Sequence, residues 1–225
     1  MALILNIDTA TERAGVCLSM NGKVLHELQH EDQKNHAGFV QPAVSDLMLK
    51  SGYKLADLDA IAVTAGPGSY TGLRVGLATA KGLCFTLSKP LLMVNTLEVM
   101  AQAVLRAEAP ASDRLLCPMI DARRMEVFTG MYTTQLQVVQ SPSAVILTDE
   151  SFKEILDKQV VMFTGNGSTK FKEIITHDNA LFSNVQHEAG DLGVLAELAF
   201  RNNQVADLAY SEPYYLKEFF NPTMK

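Results

Sequence analysis

The stretch TAGPGSYTGLRVG, Thr64 to Gly76, sets four glycines and a proline between an apolar run and a helix-like segment. Glycines let a backbone approach an anion closely, and free amides at the start of the next helix, backed by its dipole, favour negative charge. Gly66, Gly68, Ser69, Thr71 and Gly72, with Asp8 of the earlier NIDTAT run, are therefore candidates for holding a nucleotide phosphate. The loop is neither a Walker sequence nor a Gly-x-Gly-x-x-Gly fingerprint. A second reading stays open: a tight strand-to-helix connection in which Gly66 and Gly68 take positive φ and Ser69 or Thr71 caps the helix. The stretch HELQH, His26 to His30, carries the His-Glu-x-x-His pattern of zinc peptidases. That chemistry needs a helix, because on a strand the two imidazoles stand ~13 Å apart. Arg123 and Arg124, just after Asp121, form either a solvated charge pair or a contact for an acidic partner.

The elements that must position these residues follow from periodicity. ALILNID and AGVCLSM read as short strands, Asn21-Gly22 as a type I′ hairpin turn, and KVLHELQH as a third strand by its alternation. Phe39, Val40, Ala43, Val44, Leu47 and Met48 fall on one helical face that Gly52 ends. The strand LDAIAVTAG, a helix from about Gly72 to Ser88, the strand PLLMVN and a helix from about Thr96 to Ala107 complete the order βββαβαβα. A weaker echo comes later: IDARRMEVFTGMY repeats strand, Asp, turn, strand, and VVMFTGNGSTKF repeats strand and glycine loop. Two copies of one unit, residues 1–108 and 109–225 joined near RAEAPASDR, would put two carboxylates and two glycine loops around one cleft, where ligands commonly bind.

At 225 residues and 48% hydrophobic content the chain can bury a sizeable core. Its net charge of -6 disfavours autonomous nucleic-acid binding. Cys17, Cys84 and Cys117 sit in apolar sequence, as reduced core thiols do, and the N-terminus has no basic n-region. A cytoplasmic protein with no membrane segment is the expectation.

With NIDTAT, TAGPGSYTGLRVGLATAKGL, IDARRMEVF and SEPYYLK in this order, the chain resembles the bacterial TsaB (YeaZ) family of tRNA threonylcarbamoyladenosine biosynthesis proteins, nearly end to end. The resemblance implies the α/β fold of the actin, sugar-kinase and acetate-kinase (ASKHA) group, two βββαβα-type domains with a cleft between them. It implies a non-catalytic subunit that works with TsaD, the transferase, and the ATPase TsaE in threonylcarbamoyl transfer to the adenosine 3′ of the anticodon, in tRNAs reading codons that begin with A. It further implies a heterodimer with TsaD, a homodimer when alone, tRNA met only through the complex, and no required cofactor beyond weak ATP or ADP at the partner interface. In TsaD a His-x-x-x-His pair holds a metal; Thr96 and Met100 stand at the matching places here, and neither replaces an imidazole. No catalytic residue is therefore expected on this chain. The family's partner surface maps to the helices near 36–51 and 72–88, with Phe39, Val40, Leu47, Leu73, Arg74, Leu77, Ala80 and Lys81 as contacts, and the glycine loop becomes vestigial or shared with the partner. The alternatives are an ATP-binding or hydrolysing enzyme of the same fold, and a zinc peptidase built on HELQH.

Overall fold

The computed structural model describes residues 1–31 and 35–217. The first half runs β1 (Leu3–Asp8), β2 (Ala14–Met20), β3 (Lys23–His30), α1 (His36–Ser51), β4 (Ala60–Gly66), α2 (Tyr70–Leu87), β5 (Leu91–Asn95) and α3 (Thr96–Glu108). The second half repeats that order as β6 (Leu115–Asp121), β7 (Glu126–Thr133), β8 (Val138–Ile146), α4 (Lys153–Leu156), β9 (Val161–Thr164), α5 (Ser168–Lys172), β10 (Ala180–Phe182) and α6 (Ala189–Arg201). The sheet orders β3-β2-β1-β4-β5 and β8-β7-β6-β9-β10 match strand for strand. Each has an antiparallel three-stranded meander whose first strand continues into two parallel strands. This is the doubled ASKHA arrangement expected from the internal echo.

Local chemistry explains the joints. Asn21 and Gly22 take φ 53° and 73°, the positive pair that a type I′ turn requires. Gly52 ends α1 in the left-handed conformation, φ 76°. Because β1 is covered on both faces, its residues are buried throughout. Leu3, Leu5 and Ile7 pack with Val40, Val44 and Leu47 of α1 and Leu77, Ala80 and Cys84 of α2. On the opposite face Ile4, Ala60, Ala62 and Leu92 pack with Val99 of α3 and Leu192, Leu195 and Ala196 of α6.

Two helices depart from a simple division of the chain at residue 108. Helix α3 offers Val99 to the first sheet while Leu97, Met100, Ala101 and Val104 pack on Leu116, Ile120 and Met162 of the second. Helix α6 crosses back and covers β1, β2, β3, β4 and β5 of the first sheet. The second sheet's other core is aromatic, Phe163 and Phe171 meeting edge on at 4.9 Å between centroids with Phe152 and Phe182 around them.

Candidate functional site

Asp8 ends β1 beside the end of β4, the neighbouring parallel strand. Its Oδ1 accepts from the Ala10 amide at 3.0 Å and the Thr64 hydroxyl at 2.9 Å. Its Oδ2 lies 3.2 Å from Nε2 of His187, whose side chain is 12% exposed. Burial on its own would raise the Asp8 carboxyl, but His187, the Ala10 amide and the Thr64 hydroxyl together hold it below the usual carboxylate range. Burial pulls His187 down, and Asp8 overrides it, lifting the imidazole above its ordinary value. The pair is thus a buried ion pair joining β1 to the segment before α6, and both carboxylate oxygens are engaged.

The glycine loop is closed in the same way. The Ser69 amide donates to the Ala10 carbonyl at 2.7 Å, and the Thr9 hydroxyl donates to the Gly72 carbonyl at 2.7 Å. Ser69 caps α2, its hydroxyl accepting from the Gly72 amide at 3.3 Å, as the tight-connection reading expects. Gly66 has φ +114°, whereas Gly68 does not have positive φ. Gly68 and Gly72 serve close approach instead: a Cβ on Gly68 would collide with the Ala10 carbonyl, and one on Gly72 with the Thr9 carbonyl. The Thr9-Ala10 backbone thus lies directly against Gly68 and Gly72 and takes the Ser69 amide. Thr71 is exposed on the first turn of α2, and Arg74 is held outside the loop, 4.1 Å over the Tyr70 ring with Nε donating to the Tyr215 hydroxyl at 3.1 Å.

A contrast between two helical glycines checks this close approach. Gly82→Ala, where a Cβ meets open space, is expected to stabilise the protein by about 0.5–1 kcal/mol through helix propensity. Gly72→Ala is expected to destabilise it by about 1–3 kcal/mol through overpacking against Thr9. Urea unfolding of the two variants reads both signs.

The open space lies nearer the second glycine loop. A cavity of about 510 Å³ is lined by Glu12, Arg13, Asn166, Ser168, Gln186 and His187 among others. Asn166 donates to Glu12 across it at 2.7 Å, and Arg13 donates to Gln186 at 2.6 Å. Asn166 also accepts from the Asp121 amide at 2.8 Å. Asp121 is not the buried counterpart of Asp8: it is exposed, and despite some burial cost the Arg123 amide and Lys170 keep its carboxyl low. His187 lies in no motif, and Lys170, though within the VVMFTGNGSTKF echo, carries no readable role there; each meets its aspartate only through the fold.

Other expected residues are placed as follows. HELQH lies on β3, so the helix that zinc chemistry requires is absent and the peptidase reading fails there. Each residue has another setting: His26 is exposed, His30 stacks on Phe39 at 5.2 Å, and Glu27 accepts from the Gly190 amide at 3.2 Å, capping α6. Thr96 and Met100 are buried on α3, with the Met100 methyl against Gly165. A hydroxyl and a thioether in that apolar packing do not make a donor set for a divalent ion. Of the eight expected interface residues, Val40, Leu47, Leu73, Leu77 and Ala80 are buried within this chain. They are the sheet-facing stripe of amphipathic helices. Phe39 is half-buried against His30, Lys81 donates to the carbonyls of Ala209 and Ser211, and Arg74 is exposed. Among the residues the two helices present outward are Thr71, Arg74, Ala78, Gly82, Phe85 and Thr86 on α2 and Gln41, Ser45, Asp46, Leu49 and Lys50 on α1, Phe85 and Leu49 being 80% and 83% exposed.

Among the described residues no helix is long and apolar enough to cross a membrane. The family model described as TsaD, tRNA N6-adenosine threonylcarbamoyltransferase, matches residues 23–218. The chain is 33% identical over 228 residues to the tRNA threonylcarbamoyladenosine biosynthesis protein TsaB of Bacillus subtilis, spanning 95% of this chain and 93% of that one. To TsaB of Escherichia coli it is 39% identical over 129 residues, 57% of this chain and 54% of that one. Among solved structures it is similar to YeaZ from Pseudomonas aeruginosa, with TM-score 0.82 and 30% identity over 96% of this chain and 100% of that one. The activator of 2-hydroxyisocaproyl-CoA dehydratase from Clostridium difficile, at 9% identity and TM-score 0.52 over 90% of this chain and 97% of that one, shares the fold alone.

Proposed function

The chain belongs to the TsaB family, and from that premise we propose that it acts in tRNA threonylcarbamoyladenosine biosynthesis as a non-catalytic subunit of the transferase assembly. It pairs with a TsaD-type transferase, which holds the reacting groups, and a TsaE-type ATPase joins them; tRNA is met in that assembly, in the cytoplasm. Alone, the same face supports a homodimer, as a self-complementary patch does.

The observation that carries the non-catalytic role is the closure of the Asp8 and glycine-loop region by the chain's own groups. A carboxylate that holds a metal or activates a water must reach it; Asp8 is 3% exposed, and both its oxygens already have partners in Ala10, Thr64 and His187. A phosphate cradle needs free amides; the Ser69 amide is spent on Ala10 and the Gly72 amide on Ser69. The outcome is a rigid wedge that fixes the start of α2, and α2 with α1 then carries the docking face. On α2 the exposed small residues Ala78 and Gly82 with the apolar Phe85 suit a helix face that another helix approaches closely, and Leu49 adds exposed apolar surface on α1. About 800 Å² per partner around such a centre makes a specific complex.

The competing reading is an ATP-using enzyme working in the cleft. Calorimetric titration of the isolated chain with ATP separates the two. Weak or absent binding, unchanged by Asp8→Asn, is expected; tight binding that Asp8→Asn removes would establish the enzyme instead.

A further inference from the structure

Outside the cleft and the α1/α2 face, the most unusual local structure is the turn joining β6 to β7. Arg123 and Arg124 occupy consecutive left-handed positions, φ 70° and 53°, where glycine or asparagine is the ordinary choice. The turn is held in that shape. The Arg123 amide donates to Asp121 Oδ1 at 2.6 Å, and Lys170 Nζ, from α5, donates to the Arg124 carbonyl at 2.8 Å, the Glu126 carbonyl at 2.6 Å and Asp121 Oδ1 at 3.0 Å. Lys217 reaches Glu126 from the opposite side at 2.6 Å. The carboxylates of the turn are therefore consumed by the two lysines. Both arginine side chains are exposed, and among the described residues neither guanidinium has a carboxylate partner. They border a groove of about 640 Å³ whose floor includes Met125 and Ile146, the latter 69% exposed.

We propose that Arg123 and Arg124 form an RNA-backbone contact of this chain, binding phosphates of the tRNA while it sits on the assembled transferase. This rests on the functional reading above. Guanidinium is the side chain best matched to phosphate, offering paired donors to its oxygens. A turn braced by Lys170 fixes the backbone from which both side chains extend, so only side-chain ordering is left to lose on binding. The chain as a whole, at net charge -6, repels a polyanion, so a local excess of free cations is where contact with RNA becomes favourable. The contact is sequence-independent: it orients the tRNA and reads no base.

The test uses the reconstituted assembly of this chain with its TsaD-type partner and an unmodified tRNA transcript, with affinity measured across a salt series. The variant Arg123→Asn/Arg124→Gly removes both charges while installing residue types suited to left-handed backbone, so the turn and the melting temperature are expected to hold or improve. The slope of log affinity against log salt is expected to fall by about 1 per arginine, with equal weakening for different tRNA sequences, and Arg123→Lys/Arg124→Lys is expected to keep most of the slope. An unchanged slope in the Asn/Gly variant overturns the proposal. So does weaker pairing with the protein partner at an unchanged tRNA slope, which would assign the arginines to an acidic protein surface. Binding is read apart from modification. A need for this chain in the modification reaction together with an unchanged slope would defeat the RNA contact and leave the proposed function standing; a reduced slope with modification independent of this chain would do the reverse.

Discussion

At pH 6, inside the window where both groups are charged, His187→Ala is expected to cost about 3–5 kcal/mol of folding stability, the penalty for leaving a buried carboxylate without its cation. Asp8 is 3% exposed, and its remaining partners, the Ala10 amide and the Thr64 hydroxyl, are neutral donors. In the double variant Asp8→Asn/His187→Ala much of the loss is expected to return, because no charge is then buried; chemical unfolding of the two single variants and the double closes that cycle. The pH dependence has two edges. His187 is raised above its ordinary 6.5, so its contribution is complete below about that pH and fades as pH rises through the folded value. Asp8 is lowered below its ordinary 3.8, so its contribution is complete above that pH and fades as pH falls through the folded value. The wild-type advantage over the double variant is therefore expected to be largest between pH 3.8 and 6.5 and to shrink on either side. A difference that stays flat from well below pH 3.8 to well above pH 6.5 would show that the pair is not charged.

The second large effect is on association. Phe85→Asp places a charge at the centre of the proposed docking face, where the side chain is 80% exposed and makes little contribution to this chain's own core. Its stability is expected to stay within about 0.5 kcal/mol of the wild type. Affinity for the TsaD-type partner is expected to fall at least about 30-fold, ~2 kcal/mol, as for an apolar anchor lost from an interface centre. Leu77→Arg, one of the contacts expected from sequence, has the opposite profile: Leu77 is 6% exposed and packs under the first sheet, so that variant unfolds rather than dissociates. Melting curves beside a pull-down titration distinguish the two.

Period-two patterning and the repeat sufficed for β1 to β7 and β9, and helical patterning for α1, α2 and α3, while the Asn21-Gly22 turn and the Gly52 stop were readable because each demands a residue that tolerates positive φ. The repeat was also readable, since NID and MID open matching meanders. Which side of α2 faces outward was not. Val75, Leu83 and Leu87 broaden its apolar stripe by packing at the edges of the core, so sequence alone could not separate the sheet-facing Leu77 from the exposed Phe85. HELQH misled for a related reason. Its Glu27 answers to the amides of α6, an element 163 residues away that no local window contains. The Asp8–His187 pair was invisible on the same grounds, and the glycine loop kept a nucleotide-binding composition while its close contacts turned to the Thr9-Ala10 backbone.

The central claim, that this chain is needed for threonylcarbamoyl transfer without performing it, is tested most directly by reconstitution. The TsaD-type and TsaE-type proteins are supplied with tRNA, ATP and threonylcarbamoyl-adenylate, and the modified adenosine is quantified after nuclease digestion. Modification is expected to require this chain and to survive Asp8→Asn in it. Equal modification when the chain is omitted, or transfer by the chain with its partners omitted, would contradict the account.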